Sequence, residues 1–126
     1  MKRTVYVGIF LVCITLLTYY LYQYATDSPY RISSQKAKEF VKTNKFDVIL
    51  DVRTDLERSS FGFYPGSVHI QSADLESQMP KMFPDKQTRI LAYCNTGHRA
   101  RMATDKLHNL GYKNALYISS TYNTIM

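Results

Sequence analysis

The sequence of 126 residues has few of the side chains that metal centres and disulfide scaffolds require. It contains two cysteines, at positions 13 and 94, and three histidines, at positions 69, 98 and 108. Two cysteines exclude a disulfide-rich scaffold and a cysteine-rich zinc site, because both need several cysteines. Three dispersed histidines offer little to any other metal, so we expect no metal site.

The chain also lacks a large surplus of charge of one sign. Sixteen Lys and Arg against ten Asp and Glu give a formal net charge of +6, and Lys2 and Arg3 account for two of the positive charges. The charges of residues 27–126 are intermixed, as on an ordinary solvated surface, and no basic stripe with interleaved aromatic residues occurs. We therefore expect no nucleic-acid partner, whereas the small positive surplus favours a small anionic substrate.

The longest local feature is a run without charged residues near the N-terminus. Residues 4–26 carry no charge, and residues 5–22 are predominantly apolar and lack proline. A helix over the uncharged run would be about 34 Å long, enough for a hydrocarbon core of about 30 Å. Four tyrosines close the run, and tyrosine favours the membrane–water interface. Residues 1–26 are therefore predicted to form a single-pass membrane anchor that contacts the membrane through residues 5–22.

The charges beside the run predict its orientation. Lys2 and Arg3 precede it, and basic flanks stay on the cytoplasmic side, so residues 27–126 are expected to form a domain on the extracytoplasmic side. A cleaved signal peptide is the alternative, since it also begins with positive charge and an apolar run. Cleavage requires small residues after the apolar region, but bulky tyrosines lie there and Ala25 is the one good candidate. An uncleaved anchor is the preferred interpretation.

Residues 27–126 alternate short apolar runs with segments of helical periodicity. The apolar runs predict four buried strands, at residues 46–52, 67–70, 89–93 and 115–118. Helices are predicted in three places: after a cap at Ser33 or Ser34, over residues 75–83 with a break near Pro80, and from Arg99 to a cap at Gly111. A polar loop is predicted over residues 53–66. The alternation predicts an α/β fold with a parallel sheet flanked by helices, whose ligands bind at the carboxyl ends of strands.

One cysteine lies at such a strand end. Cys94 follows the third predicted strand directly, and the loop Asn95-Thr96-Gly97-His98-Arg99 leads into a helix. The backbone N–H groups of such a loop and the positive end of the helix dipole stabilise a thiolate and bind anions. Gly97 permits the backbone angles of a tight loop, and Arg99 adds positive charge. The pattern predicts a nucleophilic thiol beside an anion pocket; the alternative is a cysteine that serves only as a small buried apolar side chain.

Four motifs, in order along the chain, resemble those of a single-domain rhodanese. They are Asp51-Val52-Arg53, Tyr64-Pro65-Gly66-Ser67 with Ile70, Cys94-x-x-Gly97-x-Arg99 and Leu110-Gly111-Tyr112. The match spans roughly residues 32–122 and is most similar to the small periplasmic thiosulfate sulfurtransferases. The resemblance implies a rhodanese-like α/β fold over most of residues 27–126 and an enzyme that needs no cofactor.

The resemblance also implies a mechanism. A sulfane sulfur would pass from thiosulfate or a persulfide to a thiol or cyanide acceptor through a persulfide on Cys94. The small anionic donor would be bound by the loop residues Asn95, Thr96, Gly97, His98 and Arg99. Asp51 and Arg53 would support the loop from the neighbouring strand end, and an ordinary structural ion pair is an equally good explanation for these two residues.

Two other classes of function stay open. A non-catalytic rhodanese-like binding module would use the same fold, and the predicted anchor favours such a module at a membrane. A phosphatase or arsenate reductase is less favoured, because the phosphatases related to rhodaneses have a Cys-x5-Arg loop and position 100 is Ala100. The chain departs from the family pattern at Gly62-Phe63-Tyr64, where a histidine is common, and at Ser119-Ser120, which replaces Gly-Gly.

Three polar side chains are assigned no catalytic role. His98 is expected to face solvent, and a role as general base is the less favoured alternative. Arg58 and Arg101 are expected to be surface charges. No pattern in the sequence identifies a protein partner.

Overall fold

The computed structural model describes residues 1–25 and 27–126 in full and residue 26 by its backbone. The helices and strands are, in chain order, α1 (Lys2–Thr26), α2 (Ser34–Lys42), β1 (Val48–Asp51), α3 (Asp55–Phe61), β2 (Val68–His69), α4 (Leu75–Met82), β3 (Ile90–Tyr93), α5 (His98–Asn109) and β4 (Ala115–Tyr117). Two short 3-10 turns occur at Ser72–Asp74 and Tyr122–Ile125.

The four strands form one parallel sheet in the order β2-β1-β3-β4. The register of the central pair places Asp51 beside Tyr93, so the chain leaves β1 and β3 at the same edge. Side chains of α4 and α5 pack on one face of the sheet, and α2 and the last 3-10 turn pack on the other. The predicted α/β fold, a parallel sheet flanked by helices and preceded by an apolar helix, is confirmed.

Burial on both faces explains why the central strand is apolar at every position. All four residues of β3 are completely buried. Successive side chains of a strand point to opposite faces, and accordingly Ile90 and Ala92 belong to one core cluster while Leu91 and Tyr93 belong to the other. Such a strand reads as an unbroken apolar run rather than as an alternating one.

The segment predicted as a polar loop contains a short helix, α3. Its start is a capping box in which the Glu57 N–H donates to Thr54 Oγ1 at 3.3 Å and the Thr54 N–H donates to the Glu57 carboxylate at 2.9 Å. The prediction of an irregular loop over residues 53–66 is therefore wrong for residues 55–61. The Thr-x-x-Glu pattern of residues 54–57 is the sequence signal for this helix start.

The caps of α2 and α5 agree with the sequence. Ser33 precedes α2, and its hydroxyl accepts a hydrogen bond from the Lys36 N–H. Gly111 follows α5 with φ of +99°, and the Tyr112 N–H donates to the Leu107 carbonyl at 2.9 Å. A glycine in this left-handed conformation lets the chain turn back and satisfy the last carbonyls of the helix, so both predicted caps are confirmed.

Pro80 does not interrupt α4. The helix continues to Met82, and the Phe83 N–H still bonds to the Met79 carbonyl at 2.8 Å. Pro80 lies in the last turn, where its missing N–H removes one hydrogen bond, to the carbonyl of the exposed residue Glu76. Water can satisfy that carbonyl, so the predicted break is wrong.

The N-terminal helix is long and apolar enough, over Lys2–Ala25, to cross a membrane, and a signal sequence would pass the same test. Within the described part of the chain, its most apolar stretch is not buried at all. Its last turn contacts α5, because the Ala25 carbonyl accepts a hydrogen bond from Arg101 Nη1 at 3.4 Å and the Arg101 guanidinium lies 5.2 Å from the Tyr24 ring centre. Arg101, expected as a surface charge, is half-buried against the end of α1.

Candidate active site

Cys94 lies at the carboxyl end of β3 and begins the loop that leads into α5. Its side chain is completely buried, and the Gly97 N–H donates a hydrogen bond to Cys94 Sγ at 3.0 Å. Gly97 is also the N-cap of α5, a helix of 12 residues. The sulfur therefore lies at the positive end of the helix dipole, where a negative charge on it is stabilised.

Gly97 is required at this point by both its conformation and its surroundings. Its φ of +100° is one that other residues rarely adopt, and a Cβ there would lie 2.7 Å from both Cα and Cβ of Ser119. The segment after β4 thus packs closely against the loop, and a residue larger than glycine at position 97 would clash with Ser119. Ser119 occupies one of the two positions at which the sequence departs from the Gly-Gly of the family pattern.

Asp51 and Arg53 form a buried ion pair next to the loop. Arg53 donates from Nε to Asp51 Oδ1 at 3.0 Å and from Nη2 to Oδ2 at 2.8 Å, and the Tyr93 hydroxyl donates to Oδ2 at 2.9 Å. Burial acts to raise the pKa of Asp51, but the hydrogen bonds from Arg53 and Tyr93 together outweigh it and hold this pKa below its usual value. Asp51 is thus a fixed anion that orients the Arg53 guanidinium.

The same guanidinium reaches the loop. Arg53 Nη1 donates to Asn95 Oδ1 at 3.3 Å, and Nη2 donates to the Gly62 carbonyl at 2.6 Å. The two residues predicted to support the loop therefore contact it through Asn95, and they also hold the segment before the Pro65-Gly66 turn. Their part in catalysis stays a prediction.

Arg99 is paired with a residue that the sequence analysis did not single out. Its guanidinium donates from Nη1 to Glu57 Oε2 at 2.7 Å and from Nη2 to Glu57 Oε1 at 2.8 Å. The hydrogen bonds from Arg99, opposed by a smaller effect of burial, lower the pKa of Glu57 to about 2. The capping-box pattern was the signal that could have placed Glu57 at a helix start, beside the end of β1.

The remaining loop residues differ in exposure. Thr96 and His98 are exposed, whereas Asn95 is half-buried. The exposed position predicted for His98 is confirmed. Its ring also contacts the end of α1, because Nδ1 lies 3.2 Å from the Ala25 carbonyl oxygen. Of the predicted loop residues, Gly97 contacts Cys94 Sγ directly, whereas the side chain of Asn95 contacts Arg53 and that of Arg99 contacts Glu57.

Arg58, expected as a surface charge, is part of the polar network behind the loop. It donates from Nη1 to Asp51 Oδ2 at 3.1 Å and to Ser67 Oγ at 3.0 Å. Its guanidinium also lies 3.8 Å from the ring centre of Phe63. The expectation of a solvated charge is wrong, because α3 directs this side chain toward the end of β1.

A cavity of about 410 Å³ opens beside the loop. Its lining residues are Arg53, Phe61, Asn95, Thr121, Tyr122 and Asn123. No group of three or more His, Cys, Asp or Glu side chains that could hold a metal ion is found among the residues that the structure describes. The cavity lining itself offers one guanidinium, two side-chain amides and the hydroxyl groups of Thr121 and Tyr122, and Cys94 is not among the lining residues.

Comparison with known proteins identifies the class to which this arrangement belongs. The family model for the rhodanese-like domain matches residues 33–123, which is most of the chain. The chain therefore belongs to the rhodanese-like domain family, and the resemblance seen in its motifs is confirmed. A search of curated proteins returned no match.

Solved structures share the fold. A human single-domain sulfurtransferase is 21% identical with a TM-score of 0.64, over 77% of this chain and 95% of its own. A Saccharomyces cerevisiae single-domain sulfurtransferase is 19% identical with a TM-score of 0.57, over 79% and 90%. A Rhodopseudomonas palustris protein of unknown function, described as a possible tyrosine phosphatase, is 23% identical with a TM-score of 0.70, over 82% and 84%. At these identities the likeness establishes the fold alone.

Proposed function

We propose that this protein is a sulfurtransferase that carries a sulfane sulfur as a persulfide on Cys94. The observation that carries the proposal is the position of the thiol, at a strand end, with the Gly97 N–H 3.0 Å from its sulfur at the start of α5. Membership of the rhodanese-like family and the fold shared with two single-domain sulfurtransferases support it. The Gly97 N–H, which donates to the sulfur of the free thiol, and its neighbours in the loop would hold the persulfide anion.

The proposed reaction has two nucleophilic steps. The Cys94 thiolate attacks the outer sulfur of the donor, a bond forms between Sγ and that sulfur, and the S–S bond of the donor breaks. Its electron pair leaves with sulfite when the donor is thiosulfate, or with a thiolate when the donor is a persulfide. A thiolate or cyanide acceptor then attacks the bound sulfur, and the electron pair of the broken bond returns to Cys94 Sγ.

We further propose that α1 is an uncleaved membrane anchor with the domain on the extracytoplasmic side. The length and apolar character of Lys2–Ala25 and the positions of Lys2 and Arg3 support this orientation. Carbonate extraction tests integral membrane association, and labelling of an introduced surface cysteine from either side tests the topology. A protein released by carbonate, or a domain labelled from the cytoplasm alone, contradicts the proposal.

One observation favours a non-catalytic binding module as the second candidate. Cys94 has no exposed surface, and Arg99, the cationic side chain that would bind an anionic donor, is already bound to Glu57. An enzyme needs this region to open or to accept a donor that does not compete with Glu57. A module would use the fold to present a surface and would leave the thiol unmodified.

Mass spectrometry of the intact chain separates the two candidates. The chain is incubated with thiosulfate or with cysteine persulfide, and an added mass of about 32 Da, one sulfur atom, is expected on Cys94. A Cys94→Ser variant should lack both the adduct and sulfur transfer to cyanide while keeping its thermal melting, whereas Cys13→Ser, the control in α1, should keep all three. A Cys94 thiol left unmodified by both donors, or sulfur transfer by a folded Cys94→Ser variant, would contradict the proposed sulfurtransferase activity.

A further inference from the structure

The cationic side chain expected to bind the donor is paired with a carboxylate, which neutralises its charge. Arg99, the loop cation expected to bind an anionic donor, directs two hydrogen bonds of 2.7 and 2.8 Å to the Glu57 carboxylate. The exposed fractions of the two side chains are 34% for Arg99 and 24% for Glu57, so the pair is partly shielded from solvent. A bidentate pair of this geometry is stronger than an ordinary surface ion pair.

Other contacts keep the Glu57 carboxylate in place. The Thr54 N–H and hydroxyl donate to its Oε2 at 2.9 and 3.1 Å, and Asn95 Nδ2 donates to Oε1 at 3.3 Å. With the hydrogen bonds from Arg99 as the main cause, the pKa of Glu57 is lowered to about 2. The side chain is therefore ionised at every physiological pH, and it is held both by its own helix and by the Cys94 loop.

The negative charge of Glu57 lies against the Cys94 loop, because its carboxylate accepts hydrogen bonds from Asn95, the residue that follows Cys94, and from the guanidinium of Arg99. The other guanidinium that contacts the loop, that of Arg53, is bound to Asp51. A doubly charged donor would consequently find no unpaired cationic side chain in the loop and would meet the Glu57 carboxylate.

We propose that Glu57 determines the charge of the sulfur donor: the site disfavours dianions such as thiosulfate and takes its sulfur from an organic persulfide of low net charge. This inference rests on the proposed function. In the step concerned, the Cys94 thiolate attacks the outer sulfur of R–S–SH, the Sγ–S bond forms and the S–S bond of the donor breaks. The electron pair leaves on R–S⁻, which takes up the proton of the transferred sulfur and departs as R–SH.

The inference is tested with the full chain in neutral detergent, on a Cys13→Ser background that leaves Cys94 as the one thiol. Glu57→Gln removes the charge and keeps the capping box, because glutamine serves at that position as glutamate does. Glu76→Gln, at an exposed position on α4, is the matched control. Thermal melting confirms that each variant folds.

The first measurement needs no sulfur transfer. Cys94 is alkylated with neutral iodoacetamide and with anionic iodoacetate, and the ratio of the two rates is divided by the ratio for the chain unfolded in urea. The folded chain should prefer iodoacetamide more strongly than the unfolded chain, and Glu57→Gln should reduce this preference about tenfold, as expected for loss of one charge in a partly screened site. The ratio in the unsubstituted chain tests the inference even if Glu57→Gln does not fold.

The second measurement compares donors. With cysteine persulfide the chain should show the higher kcat/KM, and Glu57→Gln should lower the KM for thiosulfate about tenfold, a larger change than in kcat, whereas Glu76→Gln should change neither constant. Equal use of both donors, with no response to Glu57→Gln, would overturn the inference about donor charge and leave the proposed function in place. Failure of Cys94 to accept sulfur from either donor would overturn the proposed function and this inference with it.

Discussion

Two carboxylate–guanidinium pairs flank the Cys94 loop, and they differ in burial. Asp51 and Arg53 are almost completely enclosed, with exposed fractions of 0% and 1%, whereas Glu57 and Arg99 keep 24% and 34%. The side-chain amide of Asn95 joins them, since it accepts from Arg53 and donates to Glu57, each at 3.3 Å. From this difference we expect the buried pair to maintain the architecture and the accessible pair to set the charge that a substrate meets.

The largest effect on stability is expected from the buried pair. Asp51→Asn leaves Arg53 and Arg58 without their shared counter-charge, and breaking a buried pair from one side costs about 3–5 kcal/mol of unfolding free energy. Urea unfolding measures the loss. A loss no greater than that of an exposed pair would contradict the distinction drawn between the two regions.

An intermediate effect is expected where the loop itself is constrained. Gly97→Ala places a Cβ 2.7 Å from Ser119 at a positive φ, so it should cost about 2 kcal/mol and abolish sulfur transfer. Gly66→Ala is the matched control, because Gly66 also has a positive φ, of +82°, but a Cβ there meets nothing within 4 Å. Unfolding and transfer assays compare them, and equal losses in both variants would refute a special role for the contact with Ser119.

A smaller effect should appear in the pH dependence of stability. Folding lowers the pKa of Glu57 from 4.5 to about 2, chiefly through the hydrogen bonds from Arg99, so the ionised carboxylate stabilises the fold above pH 4.5. This contribution is lost as the pH falls toward 2. Between these pH values the unsubstituted chain should lose about 1 kcal/mol more than Glu57→Gln, after allowance for solvent screening. Parallel acid unfolding curves for the two proteins would contradict this assignment.

The smallest effect is expected at an ion pair far from the loop. Asp47 and Arg89 form hydrogen bonds of 2.7 to 3.0 Å, but both side chains are close to half exposed. Exposed pairs of this kind contribute little, so Asp47→Asn should leave the urea midpoint almost unchanged and sulfur transfer intact. A loss of stability comparable to that of Asp51→Asn would show that burial does not determine how much each ion pair contributes to stability.

Local patterns in the sequence were enough to predict much of the fold. Apolar runs and helical periodicity predicted the strands and three of the helices of the domain, and Ser33 and Gly111 predicted two caps, because these signals depend on neighbouring residues alone. The errors have local causes too. Residues 55–61 lack a clear apolar face, so periodicity predicts a loop there although Thr54 and Glu57 carry a capping signal. A proline predicts a break in a helix unless it lies in the last turn, as Pro80 does.

The sequence by itself determined the α/β class, the apolar N-terminal helix and the position of Cys94 between a buried strand and a helix. Only the tertiary structure decided which charges surround that cysteine. Glu57 and Arg99 are 42 residues apart, and they meet because β1 and β3 are adjacent parallel strands whose carboxyl ends open at one edge of the sheet. No local pattern records which partner an arginine finds across such an edge, since that depends on strand order, register and the helix that follows each strand.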